Sequence, residues 1–315
     1  MWKKILWPLL ALLAQPFVVS AQPADSLATC FEERDLEIVN GSVRLPATLC
    51  LPRHAGGAAV PAAVLIHGSG PNDRDETIGP NKPFAELAHR LAAAGVATLR
   101  YDKRTLVYRE RMRELTPRLD YDSETVDDAV AALGLLRRQT GVDSLRCYVV
   151  GHSLGAMLAP RIAERAPQAP AGIVLWAPPA RKMEVLLREQ LQYVLSRQGG
   201  SAMQAEAVAQ QMMATLPAEY LELDAAYQPV QTAARLTIPL LLLQGGHDYQ
   251  VTGTDFHLWT AGLMFSRHAR LCWLPTCDHL LRSLPEMAVP QDYAQPGQMS
   301  EEAFAHIRNF LKEER

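Results

Sequence analysis

An excess of charge of either sign is what this chain most lacks. Its 315 residues carry 31 Lys and Arg against 34 Asp and Glu, a formal net charge of −3, and no basic tract. A nucleic-acid partner needs a clustered positive face, so none is expected. The five cysteines have no zinc-ligand spacing, and no metal or organic cofactor is expected. Beyond the first segment no run is long and apolar enough to cross a bilayer. Internal repeats and low-complexity tracts are absent as well.

What is present begins with an amino-terminal pattern. Met1 to Lys4 is a short basic start, Ile5 to Ala14 an apolar run, and Val19-Ser20-Ala21 a small-residue end. These three parts read as a secretory signal peptide over residues 1–21, cleaved after Ala21. Leu27-Ala28-Thr29-Cys30 only loosely resembles a lipidation site, because it lies beyond the apolar run. The expected mature protein is periplasmic or secreted, with no stable membrane span.

An oxidising compartment permits disulfides, although the odd cysteine count leaves at least one thiol over. Residues 32–51 read as a hairpin about Asn40-Gly41, a strong turn signal, which places Cys30 almost opposite Cys50. A cross-strand bridge there and a second one between Cys272 and Cys277 are both available. Cys147 opens an apolar strand and reads as an inert core thiol.

Strands and helices then alternate. Apolar runs at Pro61–Ile66, Val96–Tyr101, Arg146–Val150 and Gly172–Trp176 are separated by helical patterns at Phe84–Ala94, at 123–141 with Ser123 as the cap, and at Leu154–Arg165. Continuous apolar strands are covered on both faces, which means a parallel sheet between helices. From Pro178 to Arg235 the chain reads as helix after helix. The strand rhythm resumes at Ile238–Leu243 and Arg270–Leu274, with a final helix at Glu301–Lys312. The economical organisation is an α/β core over 22–177 and 236–315, with a helical cap or lid inserted at 178–235.

Gly151-His152-Ser153-Leu154-Gly155 sits between a strand and a helix. Flanking glycines let strand and helix approach closely and lift the serine above the sheet edge. A serine hydroxyl needs a base, and the base an orienting acid, each just beyond a later strand. Asp248 follows Leu240–Leu243 and His279 follows Leu271–Leu274, in the order Ser, Asp, His. The N–H groups of Leu154 and of Ser69, in the loop His67-Gly68-Ser69-Gly70, are the candidate oxyanion donors. His67 is expected to hold that loop by hydrogen bonding. Asp255 reads as a helix-terminal charge, Asp278 as too close to His279 to orient it, and His247 as a loop residue. Asn72 to Glu76 and Asp102 to Arg104 read as a salt-linked loop cluster, with recognition of a charged substrate as the other reading.

The order HGSG, GHSLG, GGHDYQV and CDHL resembles the α/β-hydrolase superfamily across residues 32–313. Residues 67–104 are similar to a carboxylesterase-like bacterial group related to dienelactone hydrolase and prolyl oligopeptidase catalytic domains. The resemblance implies a mostly parallel eight-stranded sheet, a Ser153–Asp248–His279 triad, and an oxyanion hole at Ser69 and Leu154. The expected activity is hydrolysis of a small-molecule carboxylic ester through an acyl-enzyme. A serine peptidase on the same fold, or a binding protein without activity, are the alternatives.

Overall fold

The computed structural model describes residues 29–53, 57–116 and 118–313, so the signal segment expected at 1–21 lies outside the described residues. Eight strands form one sheet: β1 (Phe31–Asn40), β2 (Val43–Pro52), β3 (Val60–Ile66), β4 (Ala97–Tyr101), β5 (Val142–His152), β6 (Ile173–Trp176), β7 (Leu240–Gly245) and β8 (Ala269–Leu274). Their order is β1-β2-β4-β3-β5-β6-β7-β8. β1, β2 and β4 pair antiparallel and every other neighbouring pair is parallel.

The helices that flank it are α1 (Pro83–Ala93), α2 (Asp127–Arg137) and α3 (Leu154–Arg165), then α4 (Met183–Ser196), α5 (Ala202–Met213), α6 (Ala218–Ala226) and α7 (Pro229–Arg235), and finally α8 (Gly253–Leu263) and α9 (Glu301–Lys312). Successive strand side chains point to opposite faces, so each apolar strand feeds two cores at once. Ala62, Val64, Ile66, Val149, Leu175 and Leu242 join one cluster with α2, α3 and α8. Ala63, Leu65, Val150, Trp176, Leu241 and Leu243 join the other with α1 and α9. A strand with two covered faces cannot alternate in polarity, which is why these runs are apolar throughout.

Strand order reverses between β3, whose next strand β4 lies to one side, and β5 on its other side. The crevice beyond the carboxyl ends of β3 and β5 is therefore the switch point of the sheet. The loops at Gly68 and Ser153 both open there.

Two local expectations are corrected. The hairpin turns at Gly41-Ser42, because Asn40 still pairs with Val43 and only Gly41 takes a positive φ. The register therefore sets Cys50 opposite Glu33, while Arg53 N–H donates to the Cys30 carbonyl at 2.9 Å. No disulfide joins any of the five cysteines, Cys272 and Cys277 included. Ser123 is also not the cap of its helix. Asp120 Oδ1 accepts the Ser123 N–H at 2.9 Å, so the helical path begins earlier, through a wide turn at Asp122–Val126 ahead of α2.

Helices α4 to α7 occupy the stretch between β6 and β7. They are tied down by buried polar contacts: Tyr121 Oη donates to Asp224 Oδ1 and Tyr220 Oη to Glu124 Oε2, each at 2.7 Å. Lys182 Nζ donates to the carbonyls of Asp224 and Tyr227. Among the described residues no helix is long and apolar enough to cross a membrane.

Candidate active site

Ser153 stands between the end of β5 and the start of α3, with φ +52° and ψ −118°. A non-glycine residue in that region carries about 1–3 kcal/mol of backbone strain, which only its surroundings can sustain. The surroundings are two glycines. A Cβ on Gly151 would stand 2.3 Å from the Gly155 carbonyl oxygen, and a Cβ on Gly155 would stand 2.3 Å from that of Ile66. No side chain fits at either point, so strand, turn and helix close up and the serine is left half-buried at the crevice. Its own N–H donates to the Trp176 carbonyl at 2.9 Å.

Asp248 and His279 lie beyond the ends of β7 and β8, as their sequence positions suggest. His279 Nδ1 is 2.7 Å from Asp248 Oδ2, and both side chains are buried. The other carboxylate oxygen accepts the N–H groups of Gln250 and Val251 at 2.7 and 3.0 Å. Gln244 Nε2 also donates to Oδ2 at 3.2 Å, so both carboxylate oxygens accept and His279 Nδ1 is the donor of the bond they share. Burial lowers the basicity of His279, but the Asp248 charge and hydrogen bond outweigh it, and its pKa stands above the usual imidazole value.

The backbone of His279 is held from the side of the serine turn. Its carbonyl accepts from Trp176 Nε1 at 2.9 Å and faces His152 Nε2 at 3.2 Å. The His152 and His279 rings lie 4.7 Å apart, so the imidazole packs against the residue that precedes Ser153.

The β3 loop brings the two expected donors together. Gly68 packs so tightly that a Cβ there would sit 3.2 Å from the Ser153 Cβ. Ser69 follows it and lines a cavity of about 180 Å³ together with Ser153 and Leu154. Leu154 heads α3, so its N–H has no acceptor within the helix. The cavity continues under Met157, Met183, Leu187, Met212 and Leu216, four of them from the inserted helices or their borders.

The competing residues fall elsewhere. Asp278 accepts from the backbone and guanidinium of Arg282 instead of orienting His279. Asp255 is fully buried at the start of α8, where it accepts from Thr252 N–H and takes Arg181 on both oxygens. His247 Nδ1 bonds the Leu284 carbonyl at 3.0 Å. The buried His67 ring has the Asp73 backbone of its own loop as a hydrogen-bonding neighbour, but neither nitrogen makes a well-formed bond among the described residues. It is held by Tyr101 edge-on at 5.1 Å and Phe84 at 5.3 Å, and burial drops its pKa to about 4.

Most of the charged loop cluster is structural. Arg74 takes Asp102, Arg100 takes Asp75, and Arg104 takes Asp128. Glu76 and Lys103 are different, because both end on Gly68: Glu76 Oε1 accepts its N–H at 2.6 Å, and Lys103 Nζ donates to its carbonyl at 3.1 Å. Glu76 Oε2 also holds His152 Nδ1 at 2.9 Å. In the sequence the only signal for this is two charges placed shortly after strand ends.

A family model described as the alpha/beta hydrolase family matches residues 63–298, across the whole of this site. The chain belongs to the α/β-hydrolase family. This α/β hydrolase is 37% identical over 292 residues to esterase EstD of Thermotoga maritima, covering 89% of this chain and 68% of EstD. An esterase of Pyrococcus furiosus shares the fold at 18% identity, with a TM-score of 0.57 and coverage of 94% and 96% of the two chains. Dipeptidyl peptidase 4 of Porphyromonas gingivalis has a TM-score of 0.57 at 16% identity, over 89% of this chain but 35% of its own. Within the family the chain is a carboxylesterase-like hydrolase.

Proposed function

We propose that this hydrolase cleaves small carboxylic esters through an acyl-enzyme, with Ser153 as nucleophile, His279 as general base and acid, and Asp248 as the group that orients the imidazole. The observation that carries the reading is the 2.7 Å contact between His279 Nδ1 and Asp248 Oδ2, beside a serine in a strained turn. Ser153 Oγ attacks the ester carbonyl while Nε2 of His279 takes its proton. The imidazolium that forms is stabilised by Asp248, and the oxyanion is received by the N–H groups of Ser69 and Leu154. The same proton then passes to the departing alcohol, and a water repeats the sequence to release the acid.

The cavity supports a small acyl or aryl group. A cavity of roughly 150 Å³ accommodates benzene, and this one is about 180 Å³ with a mainly apolar lining. In this reading residues 178–235 form the lid that shapes it, and the pattern at 1–21 supports export to the periplasm or the medium.

The test is labelling by a fluorophosphonate probe together with a screen of nitrophenyl esters of graded chain length beside amino-acid nitroanilides. Native protein should react and Ser153→Ala should not, with short esters cleaved fastest. Equal labelling of Ser153→Ala would refute the nucleophile, and rapid anilide cleavage with slow ester cleavage would make the enzyme a peptidase.

A further inference from the structure

Lys103 takes no part in the steps above, yet it is 1% exposed. An ammonium that deep must be paired, and it has two partners. Nζ lies 3.1 Å from Glu124 Oε1 and donates to the Gly68 carbonyl, also at 3.1 Å. That carbonyl belongs to the same amide as the Ser69 N–H. In a trans amide the C=O and N–H point in opposite directions. A cation that grips the oxygen from inside the protein therefore turns the N–H outward, to the cavity that Ser69 shares with Ser153. A hydrogen bond to the carbonyl also polarises the amide and strengthens its N–H as a donor.

Other contacts prevent this peptide from rotating. Asn72 Nδ2 adds a second donor to the Gly68 carbonyl at 3.2 Å, and the N–H of the preceding His67–Gly68 peptide is fixed by Glu76 Oε1. Glu76 itself is buried and holds a positive φ of 52°, a conformation retained for what its carboxylate reaches. Glu124, the ion-pair partner of Lys103, accepts the Tyr220 hydroxyl of α6. The chain of contacts thus runs from the inserted helices to the oxyanion peptide.

We propose that Lys103 is a positioning residue that aims and polarises the Gly68–Ser69 peptide toward the oxyanion formed at Ser153. The inference rests on the reading of Ser153 as nucleophile and Ser69 as oxyanion donor.

The experiment is Lys103→Met combined with Glu124→Gln, which removes the ion pair without stranding either charge. The expected result is a cooperative melt, KM for nitrophenyl acetate within about twofold of native, and kcat reduced about tenfold or more. Phenylboronic acid forms a tetrahedral adduct on the serine, and its inhibition constant should rise by the same factor as kcat falls. A purely structural lysine would lower the melting temperature or raise KM without that parallel. If the double variant does not fold, Lys103→Gln with Glu124→Gln carries the test, since glutamine stops about one atom short of the carbonyl. A folded variant with native kcat and native boronate affinity overturns the proposal. Parallel assay of Ser153→Ala separates the failures: an active Ser153→Ala refutes the nucleophile reading, whereas an inactive one beside a fully active lysine variant refutes this inference alone.

Discussion

A Cβ on Gly155 would stand 2.3 Å from the carbonyl oxygen of Ile66, the last residue of β3. The first turn of α3 is thereby pressed against the strand that carries Gly68 and Ser69. One missing methyl sets the distance between the serine turn and the loop beside it.

Gly155→Ala tests that relation. In an exposed helix this change would help by up to about 1 kcal/mol, since alanine is the better helix former. Here the methyl also meets the His67 carbonyl at 2.6 Å, so the sign reverses. We expect destabilisation of about 1–3 kcal/mol from overpacking, read by thermal unfolding, with fluorophosphonate labelling lost as the β3 loop shifts. A variant as stable and as reactive as native would show that the contact yields freely.

Asp248→Asn addresses the imidazole. It keeps the shape of the side chain but favours the wrong tautomer, and kcat should fall about 10³–10⁴-fold. The pH profile gives a second measure. His279 must be neutral to accept a proton, and its pKa is raised, chiefly by Asp248 working against burial. In the native enzyme kcat/KM should therefore fall on the acid side with a midpoint above the ordinary imidazole value of about 6.5. The residual activity of Asp248→Asn should show that midpoint displaced to lower pH. An unchanged midpoint would assign the acid limb to another group.

Leu187→Trp probes the cavity floor supplied by α4. Filling a space of about 180 Å³ with an indole should exclude long acyl groups first. We expect the ratio of octanoate to acetate ester hydrolysis to fall about tenfold, within the range that steric selection in an apolar pocket supplies. A ratio that stays constant would place the acyl chain elsewhere.

The cysteines predict an absence of redox effect on stability. Burial pushes the Cys50 thiol up to about 12 and Cys147 to about 11, so neither forms a reactive thiolate near neutral pH. Dithiothreitol should leave the melting temperature within about 1 °C, because there is no cross-link whose loss would matter. Native protein should also titrate fewer thiols than denatured protein. A melting temperature lowered by reductant would reveal a bridge.

What could be read without tertiary structure was whatever a strand end decides locally. Apolar runs bounded by Gly and Pro mark buried strands, and Ser153, Asp248 and His279 each follow such a run within a few residues. The crevice chemistry of a parallel sheet gathers at those ends, so order and spacing along the chain sufficed to nominate all three. The helix starting at Leu154 was legible for the same reason, being a local periodicity.

Contacts between distant segments were decided only in three dimensions. A one-residue shift of the turn to Gly41-Ser42 moved Cys30 away from Cys50, because the register is set along the whole β1–β2 ladder, with β2 also paired to β4, and not by the turn dipeptide alone. Glu76 and His152 are 76 residues apart and Lys103 is 35 from Gly68, separations at which sequence carries no pairing signal. The ring of His67 is enclosed by Tyr101 and Phe84, from a strand and a helix that follow it in the chain. Sequence determined which groups stand at the sheet edge; packing decided which buried charges hold the peptide between them.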